Sequence, residues 1–199
     1  ESVRKIIEYC IKYNVKTLTI YAFSTENWKR PIKEVEGLLK LFSESISKES
    51  KKIHSNNIKL KFIGDTSLLT KALQIKIKEI EKETSRNKRL VLNVALNYGG
   101  RLDIVNSVNT FYNNKKKIKK ITEKDINSGL YTKGQSDVDL LIRTGGQQRM
   151  SNFLLWQSAY AELFFSKKLW PDFDEKIFVN ALYFFQNTER KFGSVSKST

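Results

Sequence analysis

Short β-branched and aromatic runs alternate with longer amphipathic stretches along this chain, and that alternation restricts its fold more than any other feature. Residues 16–23 (KTLTIYAF), 58–63 and 90–96 read as strands, the second closed by Gly64. Residues 2–13 carry Val3, Ile6, Ile7, Cys10 and Ile11 at helical spacing, with Ser2 as a cap and Asn14 as a stop. A second helix follows Pro31, with Val35, Leu38, Leu39, Phe42 and Ile46 on one face. Further helices are expected over 68–87, 101–113, 122–128 and 174–192, and short apolar runs lie at 139–142 and 162–165. Strands separated by helices need right-handed crossovers, which makes the fold class α/β: a single domain with a mostly parallel central sheet flanked by helices. Ligands of such sheets bind beyond the carboxyl ends of the strands.

Composition narrows the chemistry. One cysteine and one histidine, Cys10 and His54, cannot assemble a zinc site of the Cys/His kind, so any metal is held by oxygen. No apolar run reaches the roughly 18 residues that cross a bilayer. Lys and Arg number 36 against 21 Asp and Glu, a net charge of +15 that suits a nucleic acid, an anionic membrane or a phosphorylated substrate. The lysines of residues 113–120 (NNKKKIKK) read as a solvated loop, and no recognised nucleic-acid module accompanies them. Dinucleotide, P-loop and α/β-hydrolase fingerprints are all missing. The chain begins with Glu1 in a helical pattern, so sequence upstream of it is expected.

Three segments at expected strand ends are polar or glycine-rich. Residues 24–31 (STENWKRP) crowd hydroxyls, an amide, a carboxylate, an indole and a guanidinium into one loop; an ordinary capped turn explains them as well. Residues 97–101 (NYGGR) place two glycines between a strand and a helix, most simply as a tight turn. Residues 143–152 (RTGGQQRMSN) set Arg143 and Arg149 with hydroxyls around Gly145 and Gly146, a pattern suited to cradling a diphosphate. Glu162 is a carboxylate inside an apolar run, satisfied equally by a salt bridge or by an oxygen-loving metal ion.

Together these segments closely resemble the cis-prenyltransferase family, which includes undecaprenyl and dehydrodolichyl diphosphate synthases. The matching stretches are TLTIYAFSTENWKRP at 17–31, ALNYGGRLDIV at 95–105, DLLIRTGGQQRMSNFLLWQSAYAEL at 139–163 and LWPDFDE at 169–175. The resemblance implies a Mg2+-dependent condensation of isopentenyl diphosphate with an allylic diphosphate, farnesyl diphosphate being the expected one, whose diphosphate leaves. The product is a long polyprenyl diphosphate for dolichol-type or related carriers. It implies that Arg143, Arg149, Met150 and Ser151 lie at the isopentenyl diphosphate site and Glu162 at the metal. Ser24, Thr25, Glu26, Asn27, Trp28 and Arg30 border the reacting centre, with Asn27 at the proton-removing position and Glu34 supporting the loop. An amide is a poor base, so Asn27 is equally a positioning group.

Leu38, Leu41 and Ile46 fall on the helix that lines the family's product tunnel, although core packing explains each equally well. A homodimer, and peripheral membrane contact through the product, are expected. The alternative is a non-catalytic partner subunit, against which Asn27, Trp28, Arg143 and Arg149 count; a nucleic-acid partner is not expected. The compartment is left open between the cytoplasm and a membrane surface, that of the endoplasmic reticulum or an organelle included. The family's N-terminal phosphate-binding loop is absent, so residues 1–199 are expected to be a single domain lacking that segment, with impaired turnover. Lys191-Phe192-Gly193 stands where the family often has Arg-x-Gly, and Gln148 where some members have His.

Overall fold

The apolar run that begins at Leu90 becomes the middle strand of a parallel sheet. The computed structural model describes residues 1–113 and 120–189. In chain order the elements are α1 (Ser2–Lys12), β1 (Thr17–Ser24), α2 (Ile32–Ser55), β2 (Ile58–Ile63), α3 (Lys71–Glu83), β3 (Leu90–Tyr98), α4 (Gly100–Asn113), α5 (Glu123–Gly129), β4 (Leu140–Arg143), β5 (Glu162–Phe165) and α6 (Glu175–Asn187). Short 3-10 turns occupy Thr25–Lys29, Thr66–Leu68 and Trp170–Asp172. The fold is α/β, and every strand ladder among the described residues is parallel. The chain divides into two compact units, one formed by Cys10–Gly134 and the other by Glu1–Tyr9 with Gln135–Thr199.

In the first unit the strand order is β1-β3-β2. Strand β3 is flanked on both sides, and its residues are buried almost throughout, Leu90, Ala95 and Tyr98 completely. Double burial explains why it reads as an apolar run rather than an alternating one. Phe23 of β1 and Leu96 of β3 join Val35 of α2 and Leu69, Leu73 and Ile77 in and before α3 to form one core cluster. Trp28, Leu39, Phe42 and Phe62 pack against its margin. At the sheet edge, β2 would present unpaired backbone groups to solvent. Residues of α3 and the turn after it close that edge. The Leu60 amide donates to Thr84 Oγ1 (3.1 Å), the Phe62 amide to Glu81 Oε1 (2.7 Å), and Asn87 Nδ2 to the Ile58 carbonyl (2.8 Å).

Capping shortens the helices relative to the sequence expectation. Asp65 accepts from the Ser67 amide and Thr70 from the Leu73 amide, so the stretch expected as helix from residue 68 is a 3-10 turn followed by α3. Ser2 is the first residue of α1 rather than its cap, because the Glu1 carbonyl accepts from Arg4 and Lys5. Asp174 caps α6 through the Ile177 amide. The lysine-rich residues 114–119 and the Lys191-Phe192-Gly193 motif lie outside the described residues. No helix among the described residues is long and apolar enough to cross a membrane.

Gly64 ends β2 at φ +123°, and a Cβ there would lie 2.1 Å from the Leu96 carbonyl oxygen. Both the conformation and the space demand glycine. Gly64→Ala is expected to lower unfolding stability by about 2 kcal/mol or more, read from the denaturant midpoint.

Candidate functional site

Two loops carry the residues singled out above, and they belong to different units. In the first unit the chain leaves β1 at Ser24 and enters the 3-10 turn Thr25–Lys29. The Ser24 amide donates to Asn27 Oδ1 at 2.8 Å, and the Arg30 amide donates to the Asn27 carbonyl at 3.1 Å. Asn27 therefore closes its own turn with the oxygen of its side chain. Its Nδ2 donor has no protein partner among the described residues. Ser24, Thr25 and Trp28 are half-buried, while Glu26 and Arg30 are exposed. Arg30 Nη1 meets Glu34 Oε1 at 2.8 Å one helical turn on, as expected for a supporting Glu34, though such an exposed pair stabilises little.

The anchor of this loop is Trp28. Its ring meets Phe23 edge-on, with centroids 5.3 Å apart, and it packs on the core cluster. Its Nε1 donates to Asn97 Oδ1 at 2.8 Å. Asn97 in turn donates from Nδ2 to the Asp65 carbonyl at 2.7 Å, and its own carbonyl accepts from the Asp65 amide at 3.2 Å. The contacts of Asn97 are invisible in the sequence, where the 97–101 segment reads as a turn. The available signal was an amide side chain closing an apolar strand. Beyond it, Tyr98 Oη donates to Asp103 Oδ2 at 2.9 Å, and Asp103 Oδ1 accepts from the Tyr131 amide at 3.0 Å. The buried Asp103 is satisfied in this way.

In the second unit the loop after β4 gathers Arg143, Arg149 and Ser151. Arg143 Nη1 donates to Ser151 Oγ at 2.6 Å and also to the Arg149 carbonyl, while Arg149 Nη1 donates to Gln147 Oε1. Partial burial, with the like charge of Arg149 adding to it, lowers the pKa of Arg143. Two guanidinium groups held close enough to repel are an arrangement that an anion relieves. Met150 is half-buried beside them. Ser151 (φ 48°), Asn152 (φ 62°) and Leu154 (φ 45°) all adopt left-handed backbone, a strained conformation for serine and leucine.

Both glycines of this loop use their amides within the chain. The Gly145 amide donates to the Lys168 carbonyl (2.7 Å) and the Gly146 amide to the Ser166 carbonyl (2.9 Å). These glycines extend the β4 to β5 pairing, and their positive φ values serve that turn.

Glu162 opens β5 opposite Leu140, three residues along the ladder from the Arg143–Phe165 pair, or roughly 10 Å. Its carboxylate is half-buried and has no protein partner among the described residues, which removes the salt-bridge alternative there. No group of three or more acidic, histidine or cysteine side chains capable of holding a metal occurs among those residues. One unengaged carboxylate fits magnesium, which binds through one or two carboxylates together with substrate phosphates. On α2, Leu41 is 61 % exposed and Leu38 is at the surface, whereas Ile46 is buried. The structure therefore does not bring Ile46 onto the same surface as the two leucines.

The family described as "Putative undecaprenyl diphosphate synthase" matches residues 1–193. The chain belongs to this family of cis-prenyltransferases. Family members similar to it include the ditrans,polycis-undecaprenyl-diphosphate synthase ((2E,6E)-farnesyl-diphosphate specific) of Pasteurella multocida (strain Pm70). That protein is 47 % identical over 201 residues, covering 99 % of this chain and 84 % of its own length. The synthase of the same name from Buchnera aphidicola subsp. Schizaphis graminum is 45 % identical over 202 residues, covering 100 % and 81 %. Among solved structures, a probable undecaprenyl diphosphate synthase from Campylobacter jejuni superposes with a TM-score of 0.89 at 35 % identity, covering 97 % of this chain and 90 % of its own. Lavandulyl diphosphate synthase from Lavandula x intermedia, in complex with dimethylallyl diphosphate, gives 0.91 at 32 % identity, with 97 % and 85 % covered.

Within this family member, Tyr21 couples the first loop to its strand. Its phenol donates to the Tyr98 carbonyl at 3.0 Å. Burial first and the Glu26 charge second raise its pKa from 10.0 to about 12, against a smaller lowering by the Ser24 hydroxyl. A phenol whose folded pKa is raised contributes stability that is complete below the unfolded value and lost as pH climbs through the folded one. The Tyr21 contribution is therefore expected to vanish between about pH 10 and about 12. Glu26→Gln is expected to shift Tyr21 ionisation to lower pH, read as phenolate absorbance with Tyr21→Phe as the blank.

Proposed function

We infer that this chain condenses isopentenyl diphosphate with an allylic diphosphate and makes undecaprenyl diphosphate from farnesyl diphosphate. The names of its relatives support that primer and product, and favour undecaprenyl over a dolichol-type carrier. Fold alone does not choose the product, because a synthase named for lavandulyl diphosphate superposes equally well. The observation that carries the reading is that Arg143 bonds both Ser151 and the Arg149 carbonyl, with no carboxylate among the described residues paired to the guanidinium of Arg143 or Arg149. Strained backbone at Ser151 fits a loop shaped for a ligand.

In this reading Arg143, Arg149 and Ser151 hold the diphosphate of isopentenyl diphosphate, and Met150 packs beside it. Glu162 is the protein's ligand for Mg2+. Magnesium, when bound, supplies neutralisation of diphosphate charge as the allylic carbon–oxygen bond breaks. Fixing both diphosphates turns the encounter of the two carbon chains into an oriented, effectively unimolecular step. A carbon–carbon bond forms, diphosphate leaves, and the condensing unit gives up a proton. With its Oδ1 occupied by the Ser24 amide, Asn27 offers a donor and not a base. It therefore orients a diphosphate oxygen, and that oxygen takes the proton. Ser24, Thr25, Glu26, Trp28 and Arg30 shape the rim of the reacting centre. Leu38 and Leu41 lie on the helix face available to the growing hydrocarbon, and the long product draws the enzyme to membrane surfaces.

The enzyme is a homodimer in this reading. Tyr160, Leu163, Tyr183 and Phe184 are exposed, and Phe184 meets Phe164 of β5 with ring centroids 5.8 Å apart, so α6 carries an apolar surface beside β5. Charged residues are expected to be poorly tolerated on such a surface. Tyr183, 67 % exposed, is the residue to change. Tyr183→Glu is expected to shift the sedimentation coefficient from dimer towards monomer without altering the circular dichroism spectrum.

The direct test is incorporation of radiolabelled isopentenyl diphosphate into butanol-extractable product with farnesyl diphosphate and Mg2+. A long, Mg2+-dependent product is expected, and its absence from a folded protein favours a non-catalytic subunit. Arg149→Ala is expected to weaken isopentenyl diphosphate binding by roughly 1.5–3 kcal/mol, the worth of one charge-assisted contact. Unchanged affinity overturns the assignment of the Arg143–Ser151 loop.

A further inference from the structure

The three strands of the first unit end in three loops, and one side chain touches the other two from the middle. Asn97 is the penultimate residue of β3, 2 % exposed, with φ 50°. Its amide oxygen receives the Trp28 indole N–H from the loop after β1, and its amide nitrogen donates to the Asp65 carbonyl in the loop after β2. The Asp65 amide returns a bond to the Asn97 carbonyl, and this close approach depends on Gly64, whose missing side chain leaves room for the Leu96 carbonyl. The amide thus acts once as acceptor and once as donor. A leucine could fill the space but make neither bond, and an aspartate could accept from Trp28 but would turn an oxygen towards the Asp65 carbonyl. Left-handed backbone favours asparagine among side-chain-bearing residues, so conformation and hydrogen bonding select the same residue.

We propose that Asn97 is a positioning residue for prenyl transfer: it fixes Trp28 and thereby holds the Ser24–Pro31 loop, including the amide donor of Asn27, in its reactive arrangement. The inference rests on the function proposed above for that loop. Ring packing against Phe23 is non-directional apart from its edge-on preference, whereas the indole N–H bond to Asn97 fixes one direction for the ring. The amide that accepts this bond is buried and doubly tethered.

The test compares Asn97→Gly, Trp28→Phe and the double variant with the parent protein. Glycine accepts the left-handed backbone of residue 97, so Asn97→Gly deletes the amide without adding backbone strain. Trp28→Phe keeps an aromatic ring against the core and deletes the donor together with part of the indole's volume. Each single variant is expected to lower kcat by roughly tenfold to a hundredfold, as small misplacements of reacting groups do, with the KM for isopentenyl diphosphate changed less than twofold. The double variant is expected to lose no more than the worse single one. Hydrogen exchange of the 24–30 amides is expected to accelerate in both single variants. Losses that multiply, or a kcat within twofold of the parent in either folded variant, overturn the proposal. Should Asn97→Gly not fold, Trp28→Phe decides by the same two readouts. The exchange measurement separates this inference from the function it rests on. If the parent transfers no prenyl group, faster exchange in Asn97→Gly preserves the anchoring of the loop while the catalytic reading fails, and unchanged exchange overturns the anchoring itself.

Discussion

Strand β3 is enclosed on both edges by parallel neighbours and buried along nearly its whole length, and that enclosure organises the first unit. A strand with no solvent-facing side can end only where its backbone groups find partners, because a buried unsatisfied polar group costs more than most single contacts return. The Asn97 carbonyl accepts from the Asp65 amide in the loop after β2 and the Tyr98 carbonyl from the Tyr21 phenol of β1, while the side chains of Asn97 and Tyr98 bond Trp28 of the loop after β1 and Asp103 of α4. Hydrogen-bonding demand at the end of one strand thus determines where the Trp28 loop can lie.

A different force shapes the second unit. Its β4–β5 ladder is only four residues long, and the loop between the strands holds Arg143 and Arg149 together against their mutual repulsion. The Ser151 hydroxyl and backbone carbonyls offset part of that cost. Among the described residues the unit leaves positive charge without a carboxylate partner at one end of the ladder and Glu162 without a cationic partner at the other.

Most elements were legible in the sequence because periodicity reports burial directly. β2 and β5 begin and end where their apolar runs do, and Leu90 opens β3 as read. Helix ends were less legible, since Asp65 and Thr70 redirect the chain through side-chain caps that compete with helical continuation. In the site, residue types identified Arg143, Arg149 and Ser151 as a group, and the structure brings them into contact. The part played by the glycines between them was not legible, because a glycine amide facing an anion and one completing a strand pairing look alike until their partners are known. Asn97 was hidden for a related reason: its contacts are 69 and 32 residues away in sequence, and nothing local signals them.

The sealing of the β2 edge has a consequence in time as well as in space. A ribosome releases β2 first, then α3, and the central strand only after both. The side chains that satisfy the outer edge of β2, Glu81, Thr84 and Asn87, all emerge before Leu90. The flank of β2 that would otherwise recruit a neighbouring nascent chain is thus closed by residues made within the next thirty or so, before its permanent partner exists. Chain order thus lets the outer flank of β2 close before the strand that covers its inner flank is made.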